Sequence, residues 1–207
     1  LGEDQQVKVR LIDCVGFLIK DASGHVEEGK ERMVRTPWSA DAIPFHQAAS
    51  LGTRKVIEDH STIGLMITTD GSFGEFPREN FLEAEEKTVQ ELKKQQKPFL
   101  ILVNSQLPYK EETLKLAQEL QKKYGVTAIT ANCEQLRKED ITRILENILY
   151  EFPVSQIQFF VPKWVEMLSP DHELKKQILN QIREKMQKLC HIRDITRDSV
   201  RLDGPYV

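Results

Sequence analysis

An apolar run over residues 97–105, Lys-Pro-Phe-Leu-Ile-Leu-Val-Asn-Ser, constrains the fold more than any other stretch of the chain. Runs of this kind are typical of a strand covered on both faces, and a proline such as Pro98 fits only at the start of such a strand. Residues 63–71 and 126–132 carry similar β-type runs. Amphipathic helical patterns separate these runs, over residues 43–60, 79–96, 110–124 and 137–151, and Gly125 is predicted to cap the third helix. The alternation predicts an α/β domain with a mainly parallel sheet and helices on both faces.

A fourth β-type run opens the chain, from Lys8 to Gly16. Right-handed crossovers place the carboxyl ends of parallel strands on one edge of a sheet, where α/β proteins bind ligands. Four polar residues are predicted at these strand ends: Asp13, Asp70, Asn104 and Thr130. This edge of the sheet is therefore the predicted ligand site.

The motif Asp13-Cys14-Val15-Gly16 suggests what that ligand is. In phosphate-binding NTPases, Asp-x-x-Gly at a strand end holds the metal and senses the terminal phosphate. Asp13 would hold Mg²⁺ through a water molecule, and Gly16 lets its backbone amide approach the terminal phosphate because glycine has no Cβ. We therefore assign Asp13 and Gly16 to catalysis, and Asp13 also to the metal. The alternative is an aspartate that only caps the following turn.

The segment Asn104-Ser105-Gln106-Leu107 lies where guanine-specific NTPases carry Asn-Lys-x-Asp. The aspartate of that motif accepts hydrogen bonds from guanine, whereas Leu107 offers neither an acceptor nor a charge. Guanine selectivity is therefore in doubt, and an adenine nucleotide becomes possible. We assign Asn104, Ser105 and Thr130 to nucleotide binding, with a purely structural amide at Asn104 as the alternative.

The phosphate loop itself, G-x-x-x-x-G-K-[ST], occurs nowhere in the 207 residues. The chain begins with Leu1 and enters a strand pattern almost at once, so we expect an N-terminally truncated P-loop NTPase fold, a three-layer sandwich of GTPase-like topology. Without the loop, the chain alone should hydrolyse little nucleotide. Residues 17–45 are predicted to form a long loop, which is either a nucleotide switch or a surface insertion.

The pattern changes at Phe152-Pro153, and we predict two domains, over residues 1–152 and 153–207. The second is read as the start of an α+β domain. It is predicted to contain a half-exposed strand over 156–161, an amphipathic helix over 170–189 and a strand over 201–205. The apolar stripe of that helix packs either on the first domain or on a domain or partner outside the chain.

Charge and composition limit the classes of partner and of site that the chain can have. With 29 basic and 32 acidic residues, the formal charge of −3 does not favour nucleic acid. The three cysteines lack the spacing of a disulfide framework or a zinc site, and the five histidines form no spaced cluster. No apolar run approaches the roughly 18 residues of a transmembrane helix. These features are typical of a cytoplasmic protein.

Nine ordered strings carry a resemblance to a known family. They are Val9–Phe17, Thr36–Trp38, Ile43–His46, Gly52–Ile57, His60–Gly64, Thr68–Gly71, Val103–Ser105, Tyr150–Val154 and Pro162–Val165. Together they closely resemble the stage IV sporulation protein A family, and they cover nearly the whole chain.

The resemblance implies a spore-coat morphogenetic ATPase on a translation-factor-type GTPase fold. Such a protein would use ATP and Mg²⁺ to assemble with itself into the basement layer of the spore coat, in the mother-cell cytoplasm on the outer surface of the forespore. The implied metal aspartate is Asp13. Other implied partners are a small amphipathic forespore-membrane peptide and other coat proteins, bound largely outside these residues. The alternative is a structural assembly module that keeps the fold without using nucleotide.

Overall fold

The structure is a computed structural model that describes residues 8–27, 29–157, 159 and 161–195. The chain divides into two compact units, Leu1–Ile144 and Leu145–Val207. The strands of the first unit are β1 (Val26–Glu27), β2 (Lys30–Glu31), β3 (Met33–Val34), β4 (Ile43–Pro44), β5 (Gly64–Thr69), β6 (Phe99–Asn104) and β7 (Ala128–Ala131). The α-helices of the described residues are α1 (Phe45–Lys55), α2 (Leu82–Lys94), α3 (Glu111–Tyr124), α4 (Lys138–Tyr150), α5 (Lys163–Glu166) and α6 (Glu173–Lys188).

The core of the first unit is a parallel sheet of three strands in the order β5-β6-β7. All five residues of β6 from Phe99 to Val103 are buried, so both faces of this central strand are covered. Its apolar run therefore predicted its position correctly. One face packs against α2 and α3 in a cluster that includes Met66, Val89, Leu92, Ile101, Val103, Ala117, Leu120 and Tyr124. The predicted α/β class with a parallel sheet is confirmed.

The helices lie within a few residues of their predicted ranges because local signals set their ends. α3 begins with Glu111 and Glu112 and ends with Lys122 and Lys123, charges that complement the helix dipole at each end. Gly125 then adopts φ +72° and donates its backbone N–H to the carbonyl of Gln121 at 2.8 Å. This left-handed C-cap confirms the role predicted for the glycine.

A buried ionic network joins β5, α2 and α3. Glu85 of α2 is only 5% exposed. Its Oε2 accepts hydrogen bonds from Arg78 Nη2 at 2.6 Å and from Thr68 Oγ1 at 2.9 Å, while its Oε1 accepts one from Tyr124 Oη at 3.2 Å. Arg78 also donates to Thr68 at 3.0 Å. Each carboxylate oxygen therefore has a partner, which makes burial of this charge tolerable.

The strand predicted from Lys8 to Gly16 is wrong for this structure: these residues form no strand, and Leu11 is 86% exposed. A strand requires a neighbour to pair its backbone N–H and C=O groups, and in the described part of the chain this stretch pairs with none. The sheet consequently has three of the four predicted strands.

The long loop predicted over 17–45 was also partly wrong. It contains two short antiparallel pairs, β1 with β2 and β3 with β4. Gly29, with φ +76°, lies in the turn between β1 and β2, a backbone conformation that favours glycine. The described part of this segment therefore contains two short strand pairs within an otherwise irregular loop.

The second unit contains α5 and α6, and α6 confirms the helix predicted over 170–189. Arg193 Nη1 donates to the buried carboxylate of Glu151 at 2.6 Å, and an isolated bridge joins Pro153 to His191. The described residues among 156–161 form no strand, so that prediction is wrong for them. The strand predicted over 201–205 lies outside the described residues. No helix in the described ranges has the length and apolar composition needed to cross a membrane.

Candidate functional site

The carboxyl ends of the three parallel strands meet at one edge of the sheet. The register pairs Thr69 of β5 with Asn104 of β6, and Asn104 with Ala131 of β7. The residues that follow, Asp70 and Ser105 among them, therefore begin adjacent loops at this edge. This is the edge at which open α/β sheets bind their ligands.

Asp70 is the most highly connected side chain at this edge. Its Oδ1 accepts hydrogen bonds from the backbone N–H of Ser72 at 3.0 Å and from Ser72 Oγ at 2.5 Å. Its Oδ2 accepts one from Thr113 Oγ1, on the first turn of α3, at 2.9 Å. Burial acts to raise the pKa of Asp70, but hydrogen bonds from Ser105, Ser72 and Thr113 outweigh it and hold the pKa below the ordinary value. Asp70 is therefore a stable carboxylate at neutral pH.

The side chain of Ser105 is directed into the protein. The residue is fully buried, and its Oγ accepts the backbone N–H of Leu107 at 3.0 Å. It also lies 3.4 Å from Thr113 Oγ1. Ser105 thus shapes the loop after β6, and its predicted contact with a nucleotide stays a prediction.

The two other predicted nucleotide residues also have protein partners. Asn104 is half-buried, and its Oδ1 accepts the backbone N–H of Cys133 at 2.9 Å, which ties the end of β6 to the loop after β7. Thr130 is buried within β7, and its backbone carbonyl accepts a hydrogen bond from Arg143 at 2.9 Å. Asn104 and Thr130 therefore lie at the predicted edge, where their hydrogen bonds to Cys133 and Arg143 hold neighbouring segments of the protein together.

A cleft of about 700 Å³ lies beside these strand ends. One wall is the loop over residues 106–110 and the other is formed by residues between Ala131 and Asp140. Leu107, 63% exposed, and Tyr109 present apolar surface along the first wall. A cleft with apolar side chains and a polar rim at the carboxyl edge of a parallel sheet has the character of a small-molecule site.

Asp13 and Gly16 lie in a different groove, of about 400 Å³, which residues 12–17 form with β5 and neighbouring helices. Asp13 is exposed, and Gly16 has φ +79° with open space where a Cβ would be. The two residues therefore leave room for a ligand beside them. In the described ranges, no group of three or more acidic, histidine or cysteine side chains is assembled to hold a metal ion. A metal at Asp13 would need further ligands from water or phosphate.

The sequence does not reveal the partners of two members of the site, Ser72 and Thr113. Ser72 follows a strand end and belongs to a Thr-Thr-Asp-Gly-Ser turn, which hinted at its location but not its partner. Thr113 lies in a helix 43 positions after Asp70, and no local pattern links them. Asp70 was placed correctly at a strand end, but its role as the shared acceptor emerges only in three dimensions.

Comparison with known proteins identifies the family. A model of the stage IV sporulation protein A ATPase domain matches residues 1–153, and a model of the middle domain of the same family matches residues 154–206. No solved structure shows a significant match to the chain.

Curated relatives agree with these models. Stage IV sporulation protein A of Bacillus anthracis is 42% identical over 95% of this chain and 40% of its own length. The protein of the same name from Clostridioides difficile is 44% identical over 91% of this chain and 38% of its own length, and that of Bacillus subtilis is 41% identical over 95% and 40%. The chain thus spans about two fifths of the length of these relatives. It belongs to the stage IV sporulation protein A family.

Proposed function

We propose that the protein containing this chain hydrolyses ATP and uses it to assemble with itself into the basement layer of the bacterial spore coat. The observation that carries the proposal is the match of the family's ATPase domain to residues 1–153. Two features of the described residues support it: the polar strand ends at one edge of a parallel sheet, and the exposed Asp13 beside an open groove.

Asp13 would hold Mg²⁺ in this account. Mg²⁺ in nucleotide sites keeps several waters and needs only one or two carboxylates together with the phosphates. A single exposed carboxylate fits that requirement, whereas a half-buried one such as Asp70, with both oxygens already accepting hydrogen bonds, does not. When bound, the ion neutralises the charge that develops on the transferred phosphoryl group. The backbone N–H of Gly16 would contact the terminal phosphate, with Asn104, Ser105 and Thr130 at the base side of the site.

The phosphate loop would come from residues outside these 207. β5 is an edge strand of the described sheet, and Leu65 and Ile67 are exposed along it beside the groove that contains Asp13. An additional parallel strand along β5 would fill the part of this groove that Leu65 and Ile67 line, would pair the free edge, and would leave the end at Asp13 and Gly16 open for the ligand. It would also give residues 8–16 the neighbour that a strand requires. We propose that the strand leading to the phosphate loop occupies this position.

The chain alone should therefore release phosphate from ATP at no more than the background rate. The loop's amides and lysine supply most of the affinity for phosphate and much of the stabilisation of the transition state. We would measure phosphate release with ATP and Mg²⁺ for the 207-residue chain and for a protein extended upstream to include G-x-x-x-x-G-K-[ST]. Turnover by the extended protein alone is expected. Robust turnover by the 207-residue chain would refute the account.

Leu107 is proposed to set the choice of base. Replacing it with aspartate restores the acceptor that reads guanine, and the exposure of this side chain means that the charge costs little in folding. We expect Leu107→Asp in the extended protein to raise affinity for GTP relative to ATP by about tenfold to a hundredfold, the value of a hydrogen bond to a charged group. Competition binding measures this ratio, with Leu107→Asn as the uncharged control. An unchanged ratio of GTP to ATP affinity would show that residue 107 does not contact the base.

The remaining features of the proposal follow the family. We propose domains over residues 1–152 and 153–207, supported by the two adjoining family models. The proposed location is the mother-cell cytoplasm, on the outer surface of the forespore. The proposed partners are further copies of the protein, a small amphipathic membrane peptide and other coat proteins, as the resemblance of the sequence to the family implies.

A second candidate is an assembly module that does not use nucleotide. The burial of Ser105 and Thr130 within the protein favours it, because these side chains then have a structural purpose without a ligand. The sequence upstream of the chain distinguishes the two candidates. A G-x-x-x-x-G-K-[ST] motif there supports the ATPase, and its absence supports the module.

A further inference from the structure

The loop after β6 is held by two chains of hydrogen bonds that end on one carboxylate. In the first chain, the backbone N–H of Gln106 donates to Ser72 Oγ at 2.9 Å, and Ser72 Oγ donates to Asp70 Oδ1 at 2.5 Å. In the second, the backbone N–H of Leu107 donates to Ser105 Oγ at 3.0 Å. Ser105 Oγ lies 3.4 Å from Thr113 Oγ1, which donates to Asp70 Oδ2 at 2.9 Å.

The directions of these bonds are fixed by the donors. Thr113 has one hydroxyl proton and gives it to Asp70, so the Ser105 proton is directed either to Thr113 Oγ1 or to Asp70 itself. Every donor in both chains is therefore directed toward Asp70. Aligned chains that end on a charged acceptor strengthen one another more than isolated neutral bonds do. Only a group that accepts at both oxygens can end both chains.

This network joins the loop after β5 to the loop after β6, which lines the 700 Å³ cleft. Asp70 and Ser72 belong to the loop after β5, and Thr113 belongs to α3. The two amides that they fix belong to residues 106 and 107, which form one wall of the 700 Å³ cleft. Leu107 projects from this wall with 63% of its surface exposed, although its backbone is tied down. The network thus fixes the backbone that presents the base-reading position.

We propose that Asp70 is a positioning residue for base recognition: it holds the backbone of residues 106 and 107 so that this loop contacts the nucleotide base. This inference rests on the proposed ATP-binding function. Asp70 does not touch the phosphates in this account. Its loss should weaken binding of a nucleotide and leave binding of a base-free triphosphate unchanged.

The first test follows the loop itself, in the 207-residue chain without nucleotide. In Asp70→Asn, the amide oxygen can accept the final hydrogen bond of only one chain. The amide NH2 takes the place of the other carboxylate oxygen, and it faces a hydroxyl that also donates, so the second chain loses its acceptor. Hydrogen exchange measured by NMR should become at least tenfold faster at both Gln106 and Leu107. Ser72→Ala should accelerate Gln106 alone, and Thr113→Val should accelerate Leu107 alone. Asp41→Asn, an exposed residue elsewhere in the unit, serves as the matched control and should change neither amide.

The second test uses the protein extended through the phosphate loop. We expect Asp70→Asn to weaken ATP binding about tenfold and to leave binding of inorganic tripolyphosphate within a factor of two. An equal loss for both ligands would overturn positioning of the base, as would faster exchange with unchanged ATP affinity. Unaltered exchange in all three variants would overturn the network. If the unmodified extended protein bound tripolyphosphate but showed no added affinity for ATP, base recognition by this loop would be wrong. If it bound neither ligand, the proposed function would fail. The hydrogen-exchange rates of Gln106 and Leu107 would still show whether the network around Asp70 exists.

Discussion

Replacing Arg78 with methionine is expected to lower the free energy of unfolding by about 3–5 kcal/mol, the usual cost of removing one partner from a buried ion pair. Glu85 would keep its burial and lose its charged donor at 2.6 Å, with Thr68 and Tyr124 left as neutral donors. Methionine preserves most of the length of the arginine side chain, so the decrease in the free energy of unfolding comes mainly from the lost charge and less from lost packing. Urea unfolding of the chain measures the change.

The control for this prediction is Lys87→Met. Lys87 pairs with Glu83 at the same 2.6 Å distance, but both side chains are largely exposed. Solvent screens such a pair, so the unfolding midpoint should hardly move. If Arg78→Met and Lys87→Met shifted the midpoint equally, the buried network would not hold β5, α2 and α3 together as described.

Replacing Asp13 with asparagine in the extended protein is expected to lower kcat for ATP hydrolysis by about a hundredfold or more, because preorganised charge stabilisation is commonly the largest single contribution to such catalysis. An amide is similar in size to a carboxylate but neutral, so it attracts hydrated Mg²⁺ far less strongly. The exposure of Asp13 means that the substitution should leave folding unaffected. Phosphate release at saturating ATP and Mg²⁺ measures the change.

Asp41→Asn is again the matched control, since Asp41 is an exposed aspartate in the same segment of the chain and lies outside the groove of Asp13. Its kcat should equal that of the unmodified protein. A kcat for Asp13→Asn within a factor of three of that value would remove Asp13 from the metal site.

The elements that sequence could predict are those that local signals determine. The apolar run of β6, the charge gradient of α3 and the glycine at position 125 each act within a few neighbouring residues. Each therefore leaves a pattern that can be read along the chain. The predicted strand ends followed from these elements, because parallel strands with helical crossovers share one orientation.

The errors arose where structure depends on distant partners. Lys8–Gly16 has strand-type composition, but composition does not supply the neighbouring strand that pairing requires. The partners of Asp70 likewise come from its own loop and from α3, 43 positions later, and no periodicity records which hydroxyl meets which carboxylate. Hydrogen-bond networks of this kind become visible only once the fold brings their members together.

The central claim, that ATP hydrolysis through Asp13 drives assembly, is tested most directly by sedimentation of the extended protein. With ATP and Mg²⁺, the unmodified protein and Asp41→Asn should form pelletable polymer, and Asp13→Asn should stay in the supernatant while unfolding at the same urea concentration. Polymer formed by Asp13→Asn as fast and as fully as by the unmodified protein would contradict the account and favour an assembly module that does not use nucleotide.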